Sequence, residues 1–227
     1  MFNGFTPAAG EFLWELAFNN ERPWFLEHKE QFEACVNEPF KALAADTKAL
    51  MCSRFPEMDF RLHVSRIYRD ARRLFGRGPY KDHMWFSFKH GSIAAEGPSL
   101  WFEIGPATYS YGLGFYSATP EHMAAFRRSI DANPARLERI VRKVERGGEF
   151  TLTGEEYKRP KGNAAPPLDR WYNRRRIALE CCRDHDAALC SPELPEMLVD
   201  AFARLMPLYD YCLEFYHAAD AEKGERL

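Results

Sequence analysis

The chain has 227 residues, of which 46% are hydrophobic and 15% aromatic, a composition typical of a packed globular protein that excludes a disordered one. Its 31 Lys and Arg side chains nearly balance 33 Asp and Glu side chains, which argues against a protein that coats nucleic acid by charge alone. No run of about eighteen apolar residues occurs, so no transmembrane helix is predicted.

The N-terminal part shows two helical patterns. A first helix is predicted to begin at Thr6-Pro7, where a capping hydroxyl precedes a proline, and to stop at Asn19-Asn20. A second pattern of apolar residues at helical spacing runs from about Pro23 to Leu50. Pro39 lies inside it, so a kink or a division into two helices is expected there.

The period then changes to that of β-strands. Strands are predicted over residues 61–68, 83–90, 100–104 and 108–116, with glycine-rich connections between them. Within the second, Met84, Phe86 and Phe88 share one face. Short strands joined by short connections predict an antiparallel meander.

Helical patterns return in the C-terminal part. Two helices are predicted after Thr119-Pro120, with a break at Asn133-Pro134, and short strands at 150–153 and 177–182 follow. A last helix is expected from about Pro192, with a kink at Pro207. This order predicts a single α+β domain over residues 1–227, in which N-terminal and C-terminal helices pack a central, mostly antiparallel sheet of about four to six strands.

The six cysteines and the N-terminal segment indicate the cellular compartment in which the protein is expected. The N-terminal segment has no basic region and its apolar stretch is interrupted by an acid, so no signal peptide is predicted. In a chain of this length without an export signal, reduced thiols are expected rather than disulfides. The predicted location is the cytoplasm.

The segment RIYRDARRLFGRGPYK, residues 66–81, is called the basic loop here; it gathers six cations and one acid. Arginine forks fit carboxylate or phosphate through paired hydrogen bonds, lysine adds a point charge and tyrosine a donor hydroxyl. The basic loop therefore predicts a site for a phosphate- or carboxylate-bearing small molecule. The proposed ligand-binding residues are Arg66, Arg69, Arg72, Tyr80 and Lys81.

Arg66 shares a predicted strand face with Leu62 and Val64, so its guanidinium is expected to need an anionic partner. That partner is Asp70, Glu103 or a ligand. If the protein is an enzyme, Asp70 or His83 is the candidate acid or base. Neither a reaction nor a cofactor follows from these residues.

Two other interpretations of the basic loop remain open. In the first, its cations form internal salt bridges, and the protein is a non-catalytic interaction or scaffold protein. The aromatics among the cations also permit non-specific contact with nucleic acid, which the overall acidic balance disfavours.

The remaining motifs carry little chemistry. Gly112 and Gly114 lack the third glycine of a dinucleotide-binding turn. The segment 181–190 has no Cys-x-x-Cys pair for zinc. His63, His83 and His90 could meet near Glu103, but isolated histidines are more often hydrogen-bonded residues without a metal. No metal site is predicted.

The chain resembles the bacterial and fungal family called domain of unknown function 2461. The resemblance covers nearly the whole chain in order, and the basic loop is its most specific part. The other segments are Phe12–Lys29, Glu38-Pro39, Trp101–Pro106, Tyr111–Glu121, the helix with Arg127, and Gly154–Gly162. It implies one compact α+β domain in an intracellular bacterial setting, and it brings no established activity with it.

Three features depart from the usual family pattern. Arg73 stands where phenylalanine is common, and residues 75–78 replace a Lys-Asp-Lys-Thr-like run. Residues 163–167 replace an Asp-His-Pro-like run. If either segment helps to form a site, its chemistry here is altered, whereas the Arg, Tyr and Lys skeleton of the basic loop matches.

Overall fold

A computed structural model of the chain describes residues 1–74, 76–91 and 97–224. The N-terminal part is helical, as predicted. Its helices are α1 (Pro7–Phe18), α2 (Arg22–Glu27), α3 (Lys29–Phe32) and α4 (Glu38–Arg54), with a π-helical turn over Glu33–Asn37 between α3 and α4.

The irregularity predicted at Pro39 is present as this π-helical turn. Proline has no backbone N–H to donate, and it is tolerated best in the first turn of a helix. Pro39 is the second residue of α4, so the wider turn immediately before it separates two regular helical segments. Likewise, α1 begins at Pro7 and ends at Phe18, directly before Asn19.

Six strands form one antiparallel sheet in the order β1-β2-β3-β4-β6-β5. They are β1 (Phe60–Val64), β2 (Met84–His90), β3 (Pro98–Ile104), β4 (Thr108–Phe115), β5 (Thr151–Thr153) and β6 (Ala178–Asp184). Because consecutive strands β1 to β4 are neighbours, the predicted meander is confirmed, and with it the α+β class.

The C-terminal part supplies the remaining helices, α5 (Pro120–Ala132), α6 (Pro134–Glu145), α7 (Asp169–Tyr172) and α8 (Leu194–Gly224). The Thr119 hydroxyl accepts a hydrogen bond from the His122 amide and caps α5, as its sequence predicts. α8 continues through Pro207 as one helix.

Contacts divide the chain into two compact units. Unit 1 consists of Met1–Phe88, Trp101–Tyr111 and Cys182–Asp200; unit 2 consists of Lys89–Leu100, Gly112–Cys181 and Ala201–Leu227. The single domain expected from sequence stays a prediction.

Each unit has its own aromatic cluster. In unit 1, Phe86 lies between Phe40 and Phe102, with ring centroids 5.6 and 5.4 Å away. In unit 2, Phe215 packs on Phe126 at 5.2 Å. Burial of such rings is the main favourable term in folding.

Within the described ranges, no helix has both the length and the apolar character needed to cross a membrane. The six cysteines are free thiols.

Candidate functional site

Backbone pairing in unit 1 closes the two ends of the basic loop. Tyr68 and Tyr80 form an antiparallel bridge, and the Lys81 amide donates to the Ile67 carbonyl at 2.7 Å. The Arg69 amide donates to the Pro79 carbonyl at 2.8 Å. These bonds hold Arg69 and Lys81 on a fixed backbone. Further inside the loop, the Arg77 amide donates to the Leu74 carbonyl at 2.9 Å.

Asn20, which follows α1, anchors the closing end of the basic loop. Its Oδ1 accepts a hydrogen bond from the Tyr80 amide at 2.9 Å, and its Nδ2 donates to the Tyr80 carbonyl at 3.0 Å. The same carbonyl accepts from Arg69 Nε at 2.7 Å. Gly78 permits this approach, because a Cβ there would lie 2.2 Å from Asn20 Oδ1.

The Tyr80 ring belongs to the core. It is 2% exposed and stacks on Phe25 with centroids 4.1 Å apart. Burial, and to a lesser degree the nearby Tyr68, raises the pKa of Tyr80, so its hydroxyl stays protonated. Tyr80 thus positions Arg69 through its carbonyl while its ring anchors the loop. The predicted contact between its hydroxyl and a ligand stays a prediction.

Arg72 has a carboxylate of its own. Its Nε and Nη2 donate to Asp70 at 3.0 and 2.9 Å, and its amide donates to Asp70 Oδ1 at 3.0 Å. Asp70 therefore caps a short 3-10 turn over Ala71–Arg73. Because the Arg72 side chain is 88% exposed, this local ion pair faces solvent rather than the other cations.

Arg66 does not lie on an apolar strand face. β1 ends at Val64, and Arg66 is exposed, while its neighbours Ser65 and Ile67 are buried. The prediction that Arg66 shares an apolar strand face with Leu62 and Val64 was wrong, because β1 ends before the alternating sequence pattern does. In the described ranges, Arg66 forms no ion pair.

The Lys81 side chain is half-buried. Burial and the positive charge of Arg69, and less so that of Arg66, lower the pKa of Lys81, while Glu103 acts in the opposite direction. Its ammonium lies 5.9 Å from the centre of the Trp85 ring. Among described residues, no carboxylate reaches ion-pairing distance of Lys81. Three cations therefore share this neighbourhood.

Asp82 and His83 form a pair beside Arg69. His83 Nδ1 lies 2.9 Å from Asp82 Oδ1, and Arg69 Nη2 lies 3.7 Å from the same oxygen. Burial alone would raise the pKa of Asp82, but the His83 hydrogen bond and the Arg69 charge hold it below its usual value. Of the two predicted acid-base candidates, His83 is oriented by a carboxylate, whereas Asp70 is used as a cap.

The centre of the His63 ring lies 5.1 Å from that of Trp85. In the part of the chain that the structure describes, no group of three or more His, Cys, Asp or Glu side chains could hold a metal ion.

Two open depressions lie elsewhere. One, of about 390 Å³, is bounded by Lys29, Glu38 and residues between them. The other, of about 620 Å³, is bounded by residues 155–161 and Arg175 of unit 2. Neither contains a residue of the basic loop.

A comparison with protein families matches residues 8–211 to the family described as "Conserved hypothetical protein (DUF2461)". The chain belongs to the DUF2461 family. The resemblance inferred from sequence is thereby confirmed, and the DUF2461 match includes the whole basic loop. A search of curated proteins found no match.

The sequence did not indicate two residues that contact the basic loop of this DUF2461 member, Asn20 and Asp82. Asn20 reads locally as a helix stop, and no pattern around it indicates a partner near residue 80. Asp82 was overlooked because it follows the cation-rich segment directly. Phe75 and the Arg73 side chain, where this member departs from the family pattern, lie outside the described residues.

Proposed function

We propose that this DUF2461 member binds a small anionic molecule, bearing phosphate or carboxylate, at Arg66, Arg69 and Lys81. One observation carries the proposal: Lys81 is half-buried, burial and the charges of Arg69 and Arg66 lower its pKa, and the Glu103 charge offsets this only in part. Among the described residues, Lys81 forms no ion pair. Such an arrangement is unfavourable for the free protein, because desolvation and like charges both disfavour the ammonium. An anion would offset both effects.

The chemistry of the three cations suits an oxyanion. A guanidinium donates two parallel hydrogen bonds, and an ammonium donates to whichever oxygen is nearest. Arg69 is already oriented through its Nε bond to the Tyr80 carbonyl, so less side-chain entropy is lost on binding. Arg66 is exposed and remains available.

The alternative is an interaction or scaffold protein whose arginines form structural salt bridges. Arg72 with Asp70 and Arg69 with Asp82 fit that alternative. It also requires that Arg66 contribute to stability. Since Arg66 is exposed and unpaired within the described residues, we expect Arg66→Gln to change the free energy of unfolding by less than about 0.5 kcal/mol. A loss above about 1 kcal/mol would favour the scaffold.

Isothermal titration calorimetry tests the proposal. The titrants are inorganic phosphate, sugar phosphates, nucleotides and dicarboxylates at constant ionic strength. For the anion that binds, Lys81→Met is expected to weaken the affinity by about tenfold to a hundredfold, since a charge-assisted hydrogen bond contributes about 1.5–3 kcal/mol.

The matched control is Arg72→Gln, which removes one positive charge from the same loop but from a solvent-facing local ion pair. It is expected to leave the affinity within about twofold. Binding of no anion in the panel, or equal effects of Lys81→Met and Arg72→Gln, would contradict the proposal.

A further inference from the structure

Residues 154–162 of unit 2, called the Tyr157 loop here, are clamped to the chain around Asn173. The Tyr157 amide donates to the Asn173 carbonyl at 2.9 Å. The Asn173 side chain accepts from the Lys161 amide at 2.8 Å and donates to the Gly162 carbonyl at 3.1 Å. This Lys- and Pro-containing segment is therefore held to the chain around Asn173 by hydrogen bonds from Tyr157 and from Lys161 and Gly162.

Two glycines permit this close packing. Gly154 has φ +105°, and a Cβ there would lie 2.4 Å from the Arg176 carbonyl oxygen. A Cβ at Gly162 would lie 2.7 Å from the Tyr172 ring. Both positions exclude a side chain, so the backbone of the Tyr157 loop is seated against the rest of unit 2.

Two cations lie over the Tyr157 ring. The Lys161 ammonium is 5.0 Å and the Arg127 guanidinium 5.4 Å from its centre. Arg127 Nη1 is buried and has no hydrogen-bond partner among the described residues. A buried donor without an acceptor is unusual in a folded protein. The positive charges of Lys161 and Arg127, together with the unpaired Nη1 donor of Arg127, make the surroundings of the Tyr157 ring favourable for an anion.

The acids of the Tyr157 loop are already paired with arginines. Glu155 accepts from Arg175 at 2.7 Å, and Glu156 lies 3.2 Å from Arg174. Neither carboxylate is therefore left to neutralise the other cations around the depression.

Three cations of the loop, Lys158, Arg159 and Lys161, are exposed and form no ion pair with any residue in the described ranges. All three line the open depression of about 620 Å³ together with Tyr157. A run of cations on a surface is usually a solvated face. Here the backbone that carries them is held by hydrogen bonds to Asn173. A further positive charge, that of Arg127, lies 5.4 Å from the centre of the Tyr157 ring that lines the depression.

We propose that this depression binds a phosphoryl group, either free phosphate or a phosphate monoester, through Lys158, Arg159 and Lys161. Arginine and lysine are the side chains that recognise phosphate oxygens, and a fixed backbone reduces the entropy lost on binding. The site is in unit 2 and uses no residue of the basic loop.

Amide NMR titration of the full chain with inorganic phosphate, at constant ionic strength, tests the proposal. Saturable shifts are expected in the amides of residues 155–159, 161 and 162, since Pro160 has no backbone N–H. Arg159→Gln and Lys161→Gln are each expected to weaken the apparent affinity about tenfold. The absence of saturable shifts in these amides would overturn the proposal.

Matched controls are available at the C-terminal end of α6 in the same unit, where Lys143 lies within the helix and Arg146 directly follows it. Arg146 and Lys143 are exposed and form no ion pair with described residues, so Arg146→Gln and Lys143→Gln make the same charge changes away from the depression. Each is expected to change the affinity less than about twofold. Weakening equal to that of Arg159→Gln would identify non-specific charge attraction and overturn the proposal.

Lys81→Met separates this site from the basic loop. The shifts of residues 155–162 are expected to persist in that variant. Their loss in Lys81→Met would overturn the second site while leaving the proposed function intact. If they persist but phosphate causes no Lys81-dependent change at the basic loop, the second site stands without the first.

Discussion

The side-chain amide of Asn20 accepts a hydrogen bond from the backbone N–H of Tyr80, sixty residues further along the chain, at 2.9 Å and donates one to the backbone C=O of Tyr80 at 3.0 Å. The side chain thus satisfies the two backbone groups that a second neighbouring strand would satisfy in a sheet. It links the end of α1 to the end of the basic loop, where Arg69 and Lys81 are positioned.

Asn20→Ala is expected to lower the free energy of unfolding by about 2 kcal/mol, because it leaves two backbone groups of Tyr80 with fewer partners. Urea denaturation measures this loss. The adjacent Asn19 provides the control: its side chain makes one exposed hydrogen bond, to the Glu15 carbonyl, and Asn19→Ala should cost about 0.5 kcal/mol. Equal losses in the two variants would contradict the anchoring role of Asn20.

Gly78→Ala is expected to destabilise the protein by about 1–3 kcal/mol, since the added Cβ would lie 2.2 Å from Asn20 Oδ1 and 2.5 Å from the Asn20 carbonyl oxygen. Thermal unfolding of the variant checks this. In the control Gly147→Ala, the Cβ meets no described atom within 4 Å and the backbone is unstrained, so stability should be unchanged or slightly higher. A neutral Gly78→Ala would show that the loop does not need this contact.

Arg69→Gln and Arg72→Gln remove the same charge from different environments. The Arg69 side chain is 16% exposed and donates to the Tyr80 carbonyl, so its loss should cost about 1–2 kcal/mol of stability. Arg72→Gln removes only an exposed local ion pair and should leave stability nearly unchanged. Chemical denaturation distinguishes them, and a reversed order would contradict a stabilising role for the hydrogen bond from Arg69 to the Tyr80 carbonyl.

The contribution of Lys81 to the free energy of unfolding should change with pH in the alkaline range. Burial and the Arg69 charge hold its pKa below the ordinary value of 10.5, so the folded protein releases this proton before the unfolded chain does. Stability relative to Lys81→Met should therefore rise with pH through the lowered pKa and level off above 10.5. Urea denaturation of both proteins from about pH 7 to pH 10 follows the difference. A difference independent of pH would show that the ammonium is not perturbed.

Asp186 should contribute to stability at neutral pH. Burial alone would raise the pKa of its carboxyl, but hydrogen bonds from the Leu189 amide, the Tyr109 hydroxyl and Arg183 hold it below 3.8. Asp186→Asn is expected to cost about 2 kcal/mol above pH 3.8, and this cost should shrink as pH falls through the lowered pKa. Acid-range denaturation measures it. Asp184→Asn, at an exposed position nearby, should have little effect at any pH.

Most helix and strand positions follow from the sequence because their causes are local. Thr119 and Pro120 begin α5 because a hydroxyl cap and a fixed φ favour a helix start at that place. Phe86 and Phe88 lie on the buried face of β2 because alternate residues of a strand point the same way.

The length of a strand was less predictable. The alternating pattern continues past Val64 to Tyr68, yet β1 ends at Val64. A strand lasts only as long as a neighbour provides hydrogen bonds, and the sequence around Arg66 does not say where that neighbour stops. Arg66 consequently lies in solvent rather than on an apolar face.

The sequence by itself determined that this chain forms an antiparallel sheet packed by helices and that cations are concentrated between β1 and β2. Only the tertiary structure decided which of those cations share a neighbourhood. Arg72 is paired with Asp70, two residues away. Lys81 instead lies near Arg69 and Arg66. Asn20 holds the backbone of Tyr80, the residue before Lys81. The physical reason is that a side chain's electrostatic environment depends on groups brought close by folding, and those groups are distant in the chain.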